Sequence, residues 1–275
     1  MTRDGRRDGA AGGGTVGDAT GDAAHVRPRR GLRRALAILL AVVVALIVVV
    51  AVALAVFHAG RYRAGEAAMA ALASDDAVTV STSAEGYAVF AGPDDDPSAT
   101  RGLVFYPGAN VDAAAYAPLC HELAARGWFC VLVSMPLDLA ILDVDAAAPV
   151  MAEYPQVERW YVGGHSMGGA MAASFAAGNP DGLAGLVLLA AYSTDDLTES
   201  GLAVYSAYGT EDGVLNRANY ERDEANLPSG WRELVIDGGN HAQFGDYGAQ
   251  RGDGTATIAP EEQVDEAVSF IDQAA

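Results

Sequence analysis

Ser166, Asp212 and His241 are the three side-chain types that together turn an alcohol into a nucleophile, and each stands in a glycine-punctuated stretch. A serine hydroxyl attacks a carbonyl only when a base takes its proton, and an imidazole serves as base when a carboxylate orients it. Ser166 lies in Gly164-His165-Ser166-Met167-Gly168, a G-x-S-x-G pattern, between the apolar run "ERWYVGG" (158–164) and an Ala/Gly-rich stretch. That context predicts a strained strand-to-helix turn, in which a Cβ at Gly164 or Gly168 would strike neighbouring backbone. Such a turn exposes the serine Oγ and gathers the first amides of the helix, Met167 among them, at one point. The bland alternative is a tight turn with an idle serine.

Of the five histidines, His25 falls in the N-terminal tail and His58 next to a long apolar segment. His121 opens "HELAARG" in a helical stretch with no second histidine for a zinc pair, and reads as a solvated or capping residue. His165 belongs to the turn and packs beside the serine. His241 is left, in "IDGGNHAQFG" after the last strand, where a general base belongs. For the acid, "AYGTEDGV" offers Glu211 and Asp212. Asp212 has the shorter arm and precedes Gly213, and Asp195 and Asp196 form a reserve one strand earlier. The order Ser…Asp…His belongs to one hydrolase fold and to neither of the two familiar serine proteases. A second oxyanion donor is expected after the third strand, in "FYPGAN". Pro107 has no N–H, and of Gly108 and Ala109, Ala109 follows the turn glycine.

These residues need a scaffold that brings strand ends together. Two short strands at 77–82 and 87–92 precede a polar turn, "PDDDPSAT". Further apolar runs at 102–108, 128–136, 158–164, 183–191, 202–209 and 231–239 alternate with helical stretches near 113–126, 143–154, 166–177, 214–226 and 260–274. That alternation predicts an α/β fold with a mostly parallel, doubly wound sheet, whose ligands bind beyond the carboxyl ends of the strands. No internal repeat is visible.

At these residues the chain resembles the α/β-hydrolase superfamily, in particular the small lidless branch related to dienelactone hydrolases, the α/β-hydrolase fold-5 group. The resemblance covers about 77–275 and rests on "VFYPGANVDAAAYAPL", "SMPLDLAIL", "GGHSMGG", "YGTEDGV" and "GGNHAQFGDYG". It implies Ser166 as nucleophile, Asp212 as acid, His241 as base, and the backbone amides of Ala109 and Met167 as oxyanion hole. Dienelactone hydrolases proper use cysteine, so their substrate does not carry over. The short stretch between Ala191 and Leu202 leaves no room for a helical cap.

The N-terminal part is different. Residues 1–34 are rich in Gly, Asp and Arg and read as a disordered tail; "GGGTVG" at 12–17 is low complexity rather than a dinucleotide loop. Residues 35–57 carry no charge, and 23 residues make a helix of about 34 Å, enough to cross a bilayer. A cleaved signal peptide is the competitor, with a shorter apolar region. Five arginines (27, 29, 30, 33 and 34) precede this segment against Arg61 and Arg63 after it, which predicts a cytoplasmic N-terminus and an extracytoplasmic domain. Residues 58–76 read as a linker and 77–275 as the hydrolase domain.

After Phe57 there are 9 Arg, no Lys and 32 Asp plus Glu, a balance of −23. That surface argues against nucleic acid and against lying flat on anionic lipid. Without lysine a P-loop is excluded, and neither a metal cluster nor a cofactor motif is apparent. Cys120 and Cys130, on a helix and the next strand, lean towards unpaired thiols. Arg251-Gly252-Asp253 reads as a loop tripeptide without special meaning, and the acidic run 94–96 as a solvated turn. The expected chemistry is hydrolysis of a small acyl ester or thioester through an acyl-enzyme. The alternatives are acyl transfer on the same triad, or a tethered binding domain with an idle site. Tyr106, Asn110, Met135, Leu137, Tyr192 and Phe244 are the expected pocket lining; oligomeric state is not legible.

Overall fold

In the computed structural model, which describes residues 30–93 and 101–274, the alternating pattern resolves into helices and strands close to the expected ones. The tail through residue 29, with His25 and "GGGTVG", and the polar turn at 94–100 lie outside the described residues. Two units are distinguished, one ending at Val52 and one spanning Ala53–Ala275. Helix α1 (Arg30–Ala59) begins earlier and ends slightly later than the apolar segment, and is long and apolar enough to cross a bilayer.

The second unit continues with α2 (Glu66–Ala71), β1 (Thr79–Thr82), β2 (Ala88–Ala91), β3 (Arg101–Tyr106), α3 (Ala117–Ala125), β4 (Phe129–Leu132) and α4 (Ala147–Glu153). Then come β5 (Arg159–His165), α5 (Met167–Gly178), β6 (Gly185–Leu189), β7 (Ala203–Gly209), α6 (Arg217–Asp223), β8 (Arg232–Ile236) and α7 (Pro260–Ala274). The stretch expected as a mere linker is structured. It forms α2, whose Ala68 is fully buried, and its Gly65 and Ala68 amides donate to the backbone and side chain of Asp246. No apolar periodicity marks six Ala-rich residues as a helix; packing against α3 makes them one.

The eight strands form one sheet in the order β1-β2-β4-β3-β5-β6-β7-β8. β1 and β2 are antiparallel to each other, β2 is antiparallel to β4, and every pairing from β4 to β8 is parallel. Parallel pairing requires crossovers, and the helices that make them cover both faces. Period-two alternation divides the core accordingly. Leu103 and Phe105 of β3 pack with Leu119, Trp128 and Val268 on one face, whereas Val104 and Tyr106 pack with Ala172, Phe175 and Leu188 on the other. Between β6 and β7, residues 190–202 form turns and carry no helix. Cys120 and Cys130 are buried free thiols, and burial raises the pKa of both.

Candidate active site

Parallel strands place their carboxyl ends on one edge, so Tyr106, His165, Gly209 and Ile236 bring the loops of Ala109, Ser166, Asp212 and His241 to a common rim. Ser166 joins β5 to α5 with φ 55° and ψ −122°, a conformation that costs a non-glycine residue roughly 1–3 kcal/mol. The Ser166 amide donates to Leu189 C=O (2.9 Å) and its carbonyl accepts from Ala170 N–H (3.1 Å), which holds the strain in place. Glycine is required on both sides. A Cβ on Gly164 would come 2.6 Å from Tyr106 O and from Gly168 C, and one on Gly168 would overlap the carbonyls of Tyr106 and Pro107.

His241 is buried, and its Nδ1 lies 2.9 Å from Asp212 Oδ2; both side chains are shut off from solvent. Burial raises the Asp212 pKa, but the His241 hydrogen bond and charge, with the amides of Leu215 and Val214 donating to Oδ1, outweigh it and hold the carboxyl below its usual range. Nε2 of His241 is buried with no hydrogen-bond partner among the described residues, so no Ser166–His241 hydrogen bond is formed here. The His241 ring stands 4.4 Å, centroid to centroid, from that of His165, the residue next to Ser166. The other carboxylates are engaged elsewhere. Asp195 accepts from Ser174 at 2.5 Å, Asp196 from Thr198, and Glu211 is exposed.

His165 packs rather than reacts, as its place in the turn suggested. Tyr116 Oη accepts from Gly108 N–H (3.1 Å) and is hydrogen-bonded to His165 Nδ1 at 2.8 Å. Burial, with the neighbouring His241 ring, holds the His165 pKa well below the usual histidine range. This chain of bonds also separates the two oxyanion candidates. Gly108 N–H is committed to Tyr116, while the half-buried Ala109 donates no hydrogen bond among the described residues. Met167 N–H heads α5, where no intrahelical acceptor exists.

Three expectations need correction. Asp253, in the tripeptide taken as meaningless, accepts at Oδ1 from Gly213 (3.0 Å), His241 (3.2 Å) and Gly254 (2.9 Å) amides and at Oδ2 from Ala242 N–H (2.8 Å). It clasps the acid loop to the base loop, and only its nearness to a glycine hinted at a special backbone. The pocket list is also too generous. Tyr106 Oη is tied to Val144 O and Ala147 N, Phe244 is buried against His165, and Asn110 donates to Phe57 O. His121 is neither free nor a cap: Nε2 lies 3.6 Å from Asp75 and the ring stands edge-on to Phe90. Among the described residues no group of three or more His, Cys, Asp and Glu is arranged to hold a metal ion.

A strained serine turn and a buried His–carboxylate pair on one rim of a parallel sheet define a hydrolase-type α/β scaffold. The profile of the alpha/beta hydrolase family matches residues 102–265, and the chain belongs to that family. Among solved structures, one described as a predicted CIB-like hydrolase from Thermoplasma acidophilum is similar, with a TM-score of 0.50 and 18% identity over 72% of this chain and 99% of that one. The carboxylesterase CesB (YbfK) from Bacillus subtilis is similar with a TM-score of 0.52 and 11% identity over 75% of this chain and 95% of that one. At such identities the likeness speaks for the fold. No curated protein sequence matches.

Proposed function

We infer that the chain is a membrane-anchored serine hydrolase that cleaves a carboxylester or thioester through an acyl-enzyme on Ser166. The observation that carries this reading is the buried His241–Asp212 pair, with the remaining imidazole nitrogen unpartnered beside the Ser166 turn. In the reaction Ser166 Oγ attacks the carbonyl carbon while His241 Nε2 takes its proton and Asp212 steadies the imidazolium. The amides of Ala109 and Met167 receive the oxyanion. His241 then protonates the leaving group, and water, deprotonated by the same nitrogen, releases the acid and restores Ser166. The test is labelling of folded protein with a fluorophosphonate: an adduct on Ser166, absent in Ser166→Ala, is expected, and its absence from the wild-type chain overturns the reading.

The apolar stretch of α1 and the arginine excess before it support an anchor with the N-terminus in the cytoplasm and residues 58–275 outside. Retention in the pellet after alkaline carbonate washing, with protease access to the catalytic domain only from the extracytoplasmic side, is the expected result. A soluble, shortened chain would mean a cleaved signal instead.

A further inference from the structure

The chain that leaves the apolar helix is fastened to the rim of the site. Arg61 Nη2 donates to Asp138 Oδ1 (2.9 Å) and lies 3.4 Å from Asp112 Oδ1. Tyr62 N–H donates to Asn110 O (2.9 Å), and Tyr62 O accepts from Asp112 N–H (2.8 Å), which makes Tyr62–Val111 a one-residue parallel bridge. Asn110 N–H, next to Ala109, donates to Asp138 O (2.8 Å). The post-helix segment, the loop of Ala109 and the loop after β4 are thus one hydrogen-bonded unit. The apolar segment ends at Phe57, and the four residues to Arg61 reach at most about 14 Å. Whatever direction α1 takes, a bilayer that holds it must come within that distance of the Arg61 backbone, whose guanidinium meets Asp138.

The loop beside Asp138 has an unusual surface. Leu137 is 53% exposed, Ile141 57% and Leu142 53%; beyond residue 60, the other exposed large hydrophobic residues among those described are Met69, Val214 and Val235. Leu137 and Asp138 both have φ 55°, so the backbone is held in a conformation L residues avoid while it turns a leucine outward. Three large apolar side chains within six residues, exposed beside Ala109, need a cover, and the nearest apolar phase is the bilayer that holds α1.

Building on the serine-hydrolase and anchor readings, we propose that Leu137, Ile141 and Leu142 dip into the bilayer interface and that the site draws its substrate from there: a long-chain acyl ester dissolved in the membrane. The balance of −23 after Phe57 suits a zwitterionic rather than an anionic surface.

The experiment uses the full chain in phosphatidylcholine vesicles, with water-soluble p-nitrophenyl acetate and vesicle-borne p-nitrophenyl palmitate as substrates. Ile141→Ser/Leu142→Ser is expected to keep its acetate rate and to lose about tenfold or more on the palmitate ester. Leu142→Cys carrying an environment-sensitive fluorophore is expected to shift to the blue on reconstitution and to be quenched by doxyl-labelled lipid; Cys120 and Cys130 are buried and leave the label to position 142. Equal palmitate rates in variant and wild type, or a label quenched by aqueous iodide instead, overturn the proposal. So does a shift that follows protein concentration at fixed lipid, which would mean that a second copy covers the rim. If the wild type, like Ser166→Ala, hydrolyses neither ester, the serine reading fails and takes the lipid substrate with it, while the label still decides the membrane contact.

Discussion

His241 Nδ1 meets Asp212 Oδ2 at 2.9 Å across 29 residues of sequence, with both side chains closed to solvent. In that setting the carboxylate selects the tautomer that leaves Nε2 free to accept a proton. Asp212→Asn keeps the shape but can present an amide N–H to Nδ1, which favours the wrong tautomer. The expected outcome is a kcat on p-nitrophenyl esters lower by about 10⁴, with an unchanged circular dichroism spectrum.

Gly168 is where α5 and the loop after β3 come closest. Gly168→Ala forces its methyl against the carbonyls of Tyr106 and Pro107, both next to the loop that presents Ala109. A cost of about 1–3 kcal/mol in stability is expected, read as a lower Tm, together with loss of esterase activity. Gly178→Ala at the far end of the same helix, where a Cβ would meet nothing, is the control and should leave both unchanged.

Asp253 touches no reacting group, and its effect runs through backbone amides on the two loops that hold Asp212 and His241. Asp253→Ala orphans those amides and lets the base loop drift, and misplacement by about 1 Å costs on the order of 10² in rate. A fall in kcat of that order with little change in KM is expected. Asp253→Asn keeps an acceptor at the Oδ1 position for three of the amides but sets its NH2 against Ala242 N–H, and should recover only part of the activity.

His165 makes stability depend on pH. Unfolded, it takes up a proton near pH 6.5; folded, it resists down to much lower pH because it is buried beside His241. Below pH 6.5 the unfolded chain therefore binds more protons, and stability falls with pH by up to about 1.4 kcal/mol per unit from this group. Asp212, with its pKa held below the usual 3.8, adds stability above that value and loses it as the pH falls through the folded-state value. His165→Gln is expected to flatten the decline in Tm between pH 6.5 and 4.5 while leaving the steeper loss at lower pH.

Much of this is written locally in the chain. G-x-S-x-G after an apolar run demands a sharp turn, because only glycine lets α5 approach β3 so closely, and six apolar runs alternating with helical stretches after a pair of short strands leave few topologies open. Asp212 and His241 follow β7 and β8 in a sheet whose parallel strands end on the same side, so the sequence alone put candidate acid and base near the candidate nucleophile. The sequence could not place α2, which exists because α3 and Asp246 receive it. It pointed to the Ala109 amide from the turn glycine before it, but the bond that occupies the Gly108 amide, to a tyrosine eight residues away, is tertiary.

Asp253 shows most clearly where local information ends. Its neighbours in sequence are an arginine and two glycines, and its hydrogen-bond partners include amides 11, 12 and 40 positions away. Residue type and spacing fix what a segment's backbone can do. Which distant amide a carboxylate meets is decided by the close packing of loops after the sheet has aligned them, a long-range term that no short stretch of the chain contains.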